Sequence, residues 1–226
     1  LPDAEPTLLL TRPEAQSRAF LNLCETRLER RLSVVISPLL RIEPVGDLPD
    51  MARFATVVAT SSNAVERLGP MLAGRRVRTV GTKTARNARL HGAEAEALGE
   101  NVEEFVAHAD ALTGPVLVAR GVHTRGDLAE RLRGRGLEVE ESVLYDQVAV
   151  PLSRAAQMVL AGSSPVVAPV FSPRSASLLA AKHASAPMTV LAISEATAAA
   201  WTGNGTVVVA SSPDAAAMCA LVAEAF

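Results

Sequence analysis

The residues best placed for chemistry in this sequence form four short clusters of hydroxyl, amide and glycine residues. They are Thr60-Ser61-Ser62-Asn63, Gly81-Thr82-Lys83-Thr84, Ser172-Pro173-Arg174-Ser175 and Ser194-Glu195-Ala196-Thr197. Each follows a short apolar run and opens a helical pattern. Ser, Thr and Asn cap helices because a side-chain oxygen accepts an orphan N–H of the first turn, which is a sufficient structural reason for their presence. The carboxyl ends of parallel strands are also where open α/β sheets bind ligands. Exposed N–H groups and the positive helix end favour anions there by about 0.3–1 kcal/mol each. Arg12 and Arg120, each just after a strand-like run, would add charge-assisted bonds. The chemistry offered is the binding of several carboxylates of one ligand.

Conventional catalytic signatures are missing. His91, His108, His123 and His183 share no ligand-like spacing, and Cys24 and Cys219 lie far apart, so no metal site is expected. There is no P-loop and no G-x-S-x-G elbow. Gly121, Gly126, Gly134 and Gly136 do not build a dinucleotide fingerprint after a strand. Acidic residues fall mostly on Ala/Arg-rich helical faces, which suits a solvated role.

The elements that must position these clusters are legible as β-branched runs between Ala/Leu/Arg stretches. Strands are predicted at Thr7–Thr11, Ser33–Ser37, Phe54–Ala59, Val77–Gly81, Pro115–Ala119, Val166–Phe171, Thr189–Ile193 and Thr206–Ala210. Glu94–Leu98 alternates Glu and Ala and suits an edge strand or a helix equally. A helix is predicted through Phe20, Leu21, Cys24 and Leu28, with Pro13 in its first turn. Continuous apolar strands separated by helices indicate parallel sheets covered on both faces, an α/β class.

The chain also resembles itself. Thr84 aligns with Thr197 at a spacing of 113 (197 − 84), which also pairs Gly92 with Gly205 and Phe105 with Met218. Ser61 aligns with Ser172 at 111 (172 − 61), and Arg12 with Arg120 at 108 (120 − 12). Two half-chains of roughly 110 residues each are implied, the size of small domains. Two segments interrupt the alternation, Pro38–Val45 and Ser142–Val150. They are extended, occupy corresponding places in the halves, and could pair as an antiparallel ribbon and hinge, or be ordinary loops.

Composition narrows the function. Among 226 residues, 22 Lys+Arg against 24 Asp+Glu give a net charge of −2, unlike the concentrated basic surface of a nucleic-acid binder. Aromatics are only 3%, which disfavours base-stacking platforms. With 49% apolar residues the chain can bury a sizeable core. No run of about 18 apolar residues is present for a membrane span, and the start, Leu1 to Pro6, lacks signal-peptide features. Two thiols inside apolar segments fit a reducing compartment, so a cytoplasmic protein is expected.

At this point the sequence resembles the uroporphyrinogen-III synthase family. The residues that carry the resemblance are Leu10-Thr-Arg-Pro13, Thr60-Ser-Ser-Asn-Ala-Val65, Val80-Gly-Thr-Lys-Thr84, Arg120-Gly121 with Leu128 and Leu132, Val143-Leu-Tyr145, Phe171-Ser-Pro173 and Ile193-Ser-Glu-Ala-Thr197. They run in the family's order over nearly the whole chain. One departure is Ser194-Glu195-Ala196, where the family often has a Gly-Pro-Thr-like turn; Glu195 brings a negative charge beside a proposed anion site.

The resemblance implies two flavodoxin-like domains joined by a two-stranded antiparallel linker. One domain would comprise 1–37 and 151–226, the other 46–140, with 38–45 and 141–150 as the ribbon. It implies a cofactor-free lyase of haem biosynthesis that cyclises hydroxymethylbilane, a polycarboxylate, with loss of water and inversion of the terminal pyrrole; the mixed charge of the chain gives no sign of an obligate assembly, so a monomer is expected. Transient contact with the preceding enzyme of the pathway is a further expectation, and nucleic acid and membrane are not. Tyr145, the chain's only tyrosine, matches the family's motif tyrosine and is the candidate proton donor, or else a ribbon tyrosine that packs between the domains. Arg12, Thr60, Ser61, Ser62, Asn63, Gly81, Thr82, Thr84, Arg120, Gly121, Ser172, Ser194 and Thr197 are the candidate substrate-binding residues, largely through neighbouring main-chain N–H groups. The rival readings are a non-enzymatic two-domain sensor of a small anion and a nucleotide-sugar transferase, the latter disfavoured by the missing phosphate loop.

Overall fold

The computed structural model describes residues 5–123 and 127–226; residues 1–4 of the start and Gly126 lie outside them. In chain order the described residues form β1 (Thr7–Leu10), α1 (Glu14–Leu28), β2 (Val34–Ile36), β3 (Leu40–Pro44), β4 (Thr56–Ala59), α2 (Ser62–Leu68), β5 (Arg76–Val80), α3 (Thr82–Leu90), β6 (Glu94–Gly99), α4 (Val102–Ala107), β7 (Val116–Gly121), α5 (Leu128–Arg133), β8 (Val139–Ala149), α6 (Arg154–Ala161), β9 (Val166–Val170), α7 (Pro173–Ala180), β10 (Met188–Ala192), α8 (Glu195–Ala199), β11 (Thr206–Val209) and α9 (Ala215–Ala225). Every predicted β-branched run is a strand. The ambiguous Glu94–Leu98 run is edge strand β6, with Ala95 buried and Glu94 and Glu96 exposed. Pro13 sits one position earlier than expected, at the N-cap of α1 with an extended ψ of 144°.

The chain divides into two compact units, one of residues 1–41 and 149–226, the other of Ile42–Val148. In the first unit the strand order is β11-β10-β9-β1-β2, and all of these pairs are parallel. In the second, β8-β7-β4-β5-β6 is likewise parallel, and β3 follows β8 at the edge of the sheet. The internal repeat explains a correspondence between them. It equates β1 with β7, β9 with β4, β10 with β5 and β11 with β6, so the two orders are the same arrangement assembled from different parts of the chain.

Alternation along the strands covers both faces of each sheet, as period-two side-chain geometry demands. In β1, Leu9 packs with Val166, Ala168 and Val190 on one face, while Leu8 and Leu10 join Phe20, Cys24 and Met218 on the other. In the second unit, Val57, Ala59, Leu117 and Ala119 share one core, and Val58, Val116 and Val118 join Phe105 and Leu132 across the sheet. Each fully buried Leu contributes about 1.5–3 kcal/mol through removal from water.

Strand β8 runs further than the alternation predicts. It pairs with β7 from Val116↔Val139 to Gly121↔Tyr145, with a register shift between Arg120 and Gly121. Such irregularities re-aim side chains. Here Leu144 and Tyr145, although consecutive, both join the core that contains Leu117 and Ala119.

Candidate active site

In the second unit, β4 leads to β5 and β6 on one side and β7 leads to β8 on the other. Adjacent strands whose connections diverge leave a crevice at their carboxyl ends, where open α/β sheets place ligands. A cavity of about 480 Å³ opens there, lined among others by Thr60, Ser61, Arg120, His123, Glu141 and Tyr145.

Tyr145 is 5% exposed, and its phenol oxygen lies 2.8 Å from Ser61 Oγ. Ser61 is the N-cap of α2, and its Oγ accepts the Ala64 N–H at 3.3 Å. A serine hydroxyl has one proton to give and two lone pairs. Ser61 can therefore keep its capping bond, donate to the phenol, and leave the phenolic proton for the cavity. Gly121 makes the ring's position possible: a Cβ there would lie 2.6 Å from Tyr145 Cζ. Its place in this site is a close approach to the tyrosine ring.

Arg120 is engaged internally. Its Nε donates to Glu141 Oε1 at 2.7 Å, one terminal nitrogen donates to Gly121 O at 3.1 Å, and Arg133 lies 3.6 Å from the second Glu141 oxygen. Beside it, His123 Nε2 is 3.2 Å from Asp146 Oδ1, which also accepts the Gln147 N–H at 2.6 Å. Neither Glu141 nor the His123–Asp146 pair carried a signal in the sequence, because the partners come from different strands.

One strand over, Gly81 caps α3 at φ +83°, in the left-handed region that glycine enters without steric penalty. The first helical N–H, on Thr82, donates to Glu100 Oε1 at 3.2 Å, so a carboxylate of the chain itself rests on that terminus. Thr84 is buried, while Ser62 and Asn63 open α2 half-buried.

The first unit repeats the arrangement where β1 and β9 lie together. Ser172 caps α7, accepting the Ser175 N–H at 3.1 Å, and Ser194 caps α8, accepting the Thr197 N–H at 3.3 Å. Thr197 is fully buried with its hydroxyl 3.1 Å from Ser194 Oγ, and α8 is only five residues long, so it sums few peptide dipoles. Arg12 follows β1. Its Nε and Nη2 donate to Gln16 Oε1 at 3.1 and 2.8 Å, and its guanidinium lies 4.2 Å from the Phe171 ring centroid. Burial pulls its pKa below the ordinary arginine value.

The structure thus gathers Thr60, Ser61, Arg120, Gly121 and Tyr145 at one crevice, with Gly81, Thr82 and Thr84 on the neighbouring strand end. Arg12, Ser172, Ser194 and Thr197 occupy the matching edge of the other sheet. Among the described residues no group of three or more His, Cys, Asp or Glu side chains is placed to hold a metal ion. No described helix is long and apolar enough to cross a membrane.

Comparison with known proteins agrees with this geometry. The fold is similar to the uroporphyrinogen-III synthetase of Helicobacter pylori, at a TM-score of 0.66 and 16% identity over 97% of this chain and 99% of that one. It is also similar to a mutant uroporphyrinogen III synthase of Thermus thermophilus, at a TM-score of 0.52 and 14% identity over 97% of this chain and 98% of that one. No curated protein sequence matches the chain. The family model for uroporphyrinogen-III synthase HemD matches residues 25–220, most of the sequence. The order of the motifs and this match lead to one conclusion: the chain belongs to the uroporphyrinogen-III synthase family, enzymes of haem biosynthesis.

Proposed function

We propose that the chain is a cofactor-free hydro-lyase that closes hydroxymethylbilane to uroporphyrinogen III, with Tyr145 delivering the proton that accompanies loss of the terminal hydroxyl. The observation that carries this reading is the buried phenol held by Ser61 Oγ at 2.8 Å in a crevice at the carboxyl ends of parallel strands. A hydroxide is a poor leaving group, and a positioned acid contributes about 10²–10⁴ in rate. After it leaves, the chain's cationic end must meet the substituted carbon of the terminal pyrrole, forming a spiro intermediate, instead of the unsubstituted carbon. That choice is a matter of holding two carbons together, for which well-oriented reactions gain about 7–11 kcal/mol. Capped helix starts at Ser61 and Ser172, with Arg12, serve to hold the substrate's carboxylates in each unit, while the helix start at Gly81 already carries Glu100.

We read each unit as a flavodoxin-like domain, one of residues 1–37 with 151–226 and one of 46–140. The strand order β2-β1-β9-β10-β11, two-one-three-four-five in its own unit, supports that reading. The segments 38–45 and 141–150 would form an antiparallel ribbon. The bonds from Val45 N–H to Leu144 O in one unit and from Val150 N–H to Leu39 O in the other support it, since residue numbers fall on one segment as they rise on the other. We further propose a cytoplasmic monomer that touches the preceding enzyme only transiently. The sensor reading is not favoured, because a family of enzymes matches most of the chain.

The test is to supply hydroxymethylbilane freshly made by its synthase and resolve the porphyrin isomers after oxidation. An excess of isomer III over the enzyme-free control is expected; isomer I alone would refute the assignment.

A further inference from the structure

The internal repeat places two arginines at matching strand ends, Arg12 after β1 and Arg120 on β7, and the structure treats them differently. Arg120 faces the carboxylate of Glu141 at 2.7 Å. Arg12 has no carboxylate within ion-pair distance among the described residues; its partner is the neutral amide oxygen of Gln16. One oxygen accepts from both Nε and Nη2, and the Phe171 ring lies beneath the guanidinium at 4.2 Å. That ring is itself braced edge-on by buried Phe20, with centroids 5.1 Å apart and planes at 81°. A guanidinium has five N–H donors in a rigid plane. With two engaged, three remain for a ligand, just past the carboxyl end of β1, whose neighbour β9 leads into the Ser172 cap of α7.

We infer that Gln16 and Phe171 are positioning residues that hold Arg12 as a preformed receptor for a substrate carboxylate, a role Arg120 does not share. A partly dehydrated cation without a counter-ion is unfavourable in the free protein and becomes favourable when a ligand brings the anion. The neutral amide at position 16 is what keeps the receptor open. A glutamate there would form a bidentate pair with Arg12 and close it. The identity of the carboxylate's owner, a tetrapyrrole polyacid, rests on the reading of function above; the clamp itself does not.

The experiment measures equilibrium binding of uroporphyrin III, the oxidised product, by titration of wild type, Gln16→Glu and Phe171→Leu, with circular dichroism to confirm folding. Gln16→Glu is expected to weaken binding by about tenfold or more, the loss of one charge-assisted contact, and Phe171→Leu by about threefold. If Gln16 only braced Arg12 structurally, Gln16→Glu would bind as wild type, because the carboxylate strengthens that contact; binding within about twofold of wild type overturns the inference. Absence of uroporphyrin III binding to the wild type also overturns it. Should Gln16→Glu fail to fold, Gln16→Met decides: a threefold or greater loss supports the clamp and unchanged binding refutes it. The isomer assay on wild type is scored separately, so a protein that forms no excess of isomer III but loses uroporphyrin binding in Gln16→Glu refutes the proposed reaction and leaves the clamp standing.

Discussion

Adding a single methyl group at Gly121 tests how the tyrosine site is built. The new Cβ would lie 2.6 Å from Tyr145 Cζ, 2.8 Å from Cε2 and 3.0 Å from the phenol oxygen. Carbon atoms pack at about 3.5–4.0 Å, so the ring must retreat by about 1 Å. It has little room, because Tyr145 is buried with Leu144, Leu117 and Ala119 and its carbonyl accepts the Val122 N–H at 2.9 Å. Overpacking of this kind costs about 1–3 kcal/mol. The 2.8 Å bond to Ser61 is lost as well, at about 0.5–1.5 kcal/mol net. Gly121→Ala is therefore expected to destabilise the second unit by about 2–4 kcal/mol and to lower kcat about a hundredfold if the displaced phenol is the acid. The assay is urea unfolding with two probes. Tyr145 is the only tyrosine and lies in the second unit, while Trp201 is the only tryptophan and lies in the first, so tryptophan fluorescence reports the first unit and near-ultraviolet circular dichroism in a Trp201→Phe background reports the tyrosine of the second. A cycle with Tyr145→Ala, followed by far-ultraviolet circular dichroism because that variant has no tyrosine, isolates the contact, with a coupling of at least about 1 kcal/mol expected. A tyrosine-detected transition unmoved by Gly121→Ala, or strict additivity in the cycle, would refute the steric reasoning.

Four further outcomes follow from the same geometry. Tyr145→Phe keeps the ring and removes the proton, so kcat should fall about a hundredfold at a stability cost of about 1 kcal/mol; near-normal turnover would eliminate the proton-donor role. Glu141→Gln releases Arg120 from a partly exposed ion pair, costing under about 1 kcal/mol of stability and tightening uroporphyrin III binding a few-fold; unchanged affinity would show that Arg120 cannot reach the porphyrin. Asp214 caps α9 through the Ala217 N–H and accepts from Ser212, and these bonds hold its carboxyl below the ordinary value of 3.8. Its stabilisation is thus complete above that value and disappears as pH falls through the lower folded one, so Asp214→Asn should flatten the acid limb of stability in that window and nowhere above it. Cys24 and Cys219 are both buried, and burial followed by the neighbouring Cys219 pushes the Cys24 thiol up. A thiol reagent at pH near 8 should leave both unmodified in the native protein and label both in guanidinium; rapid native labelling would contradict the packing.

The β-branched runs, the repeat spacings and the capping residues were legible along the chain because they are local. A strand buried on both faces needs only a short continuous run of β-branched apolar residues, and an N-cap needs only a hydroxyl three residues before the N–H it accepts; Ser61, Ser172 and Ser194 all do so. Motif order alone was also enough to point to the family. What the chain could not announce is which residues meet across strands. Gly121 read as a ligand-binding glycine, and only the shifted register of β7 and β8 shows it as the space beneath Tyr145. Arg12 and Arg120 read as equivalent, and only tertiary packing sets one against an amide and the other against a carboxylate. Backbone preference acts between neighbours in sequence, whereas the charge and reach of a site are set by side chains that folding brings together from distant segments.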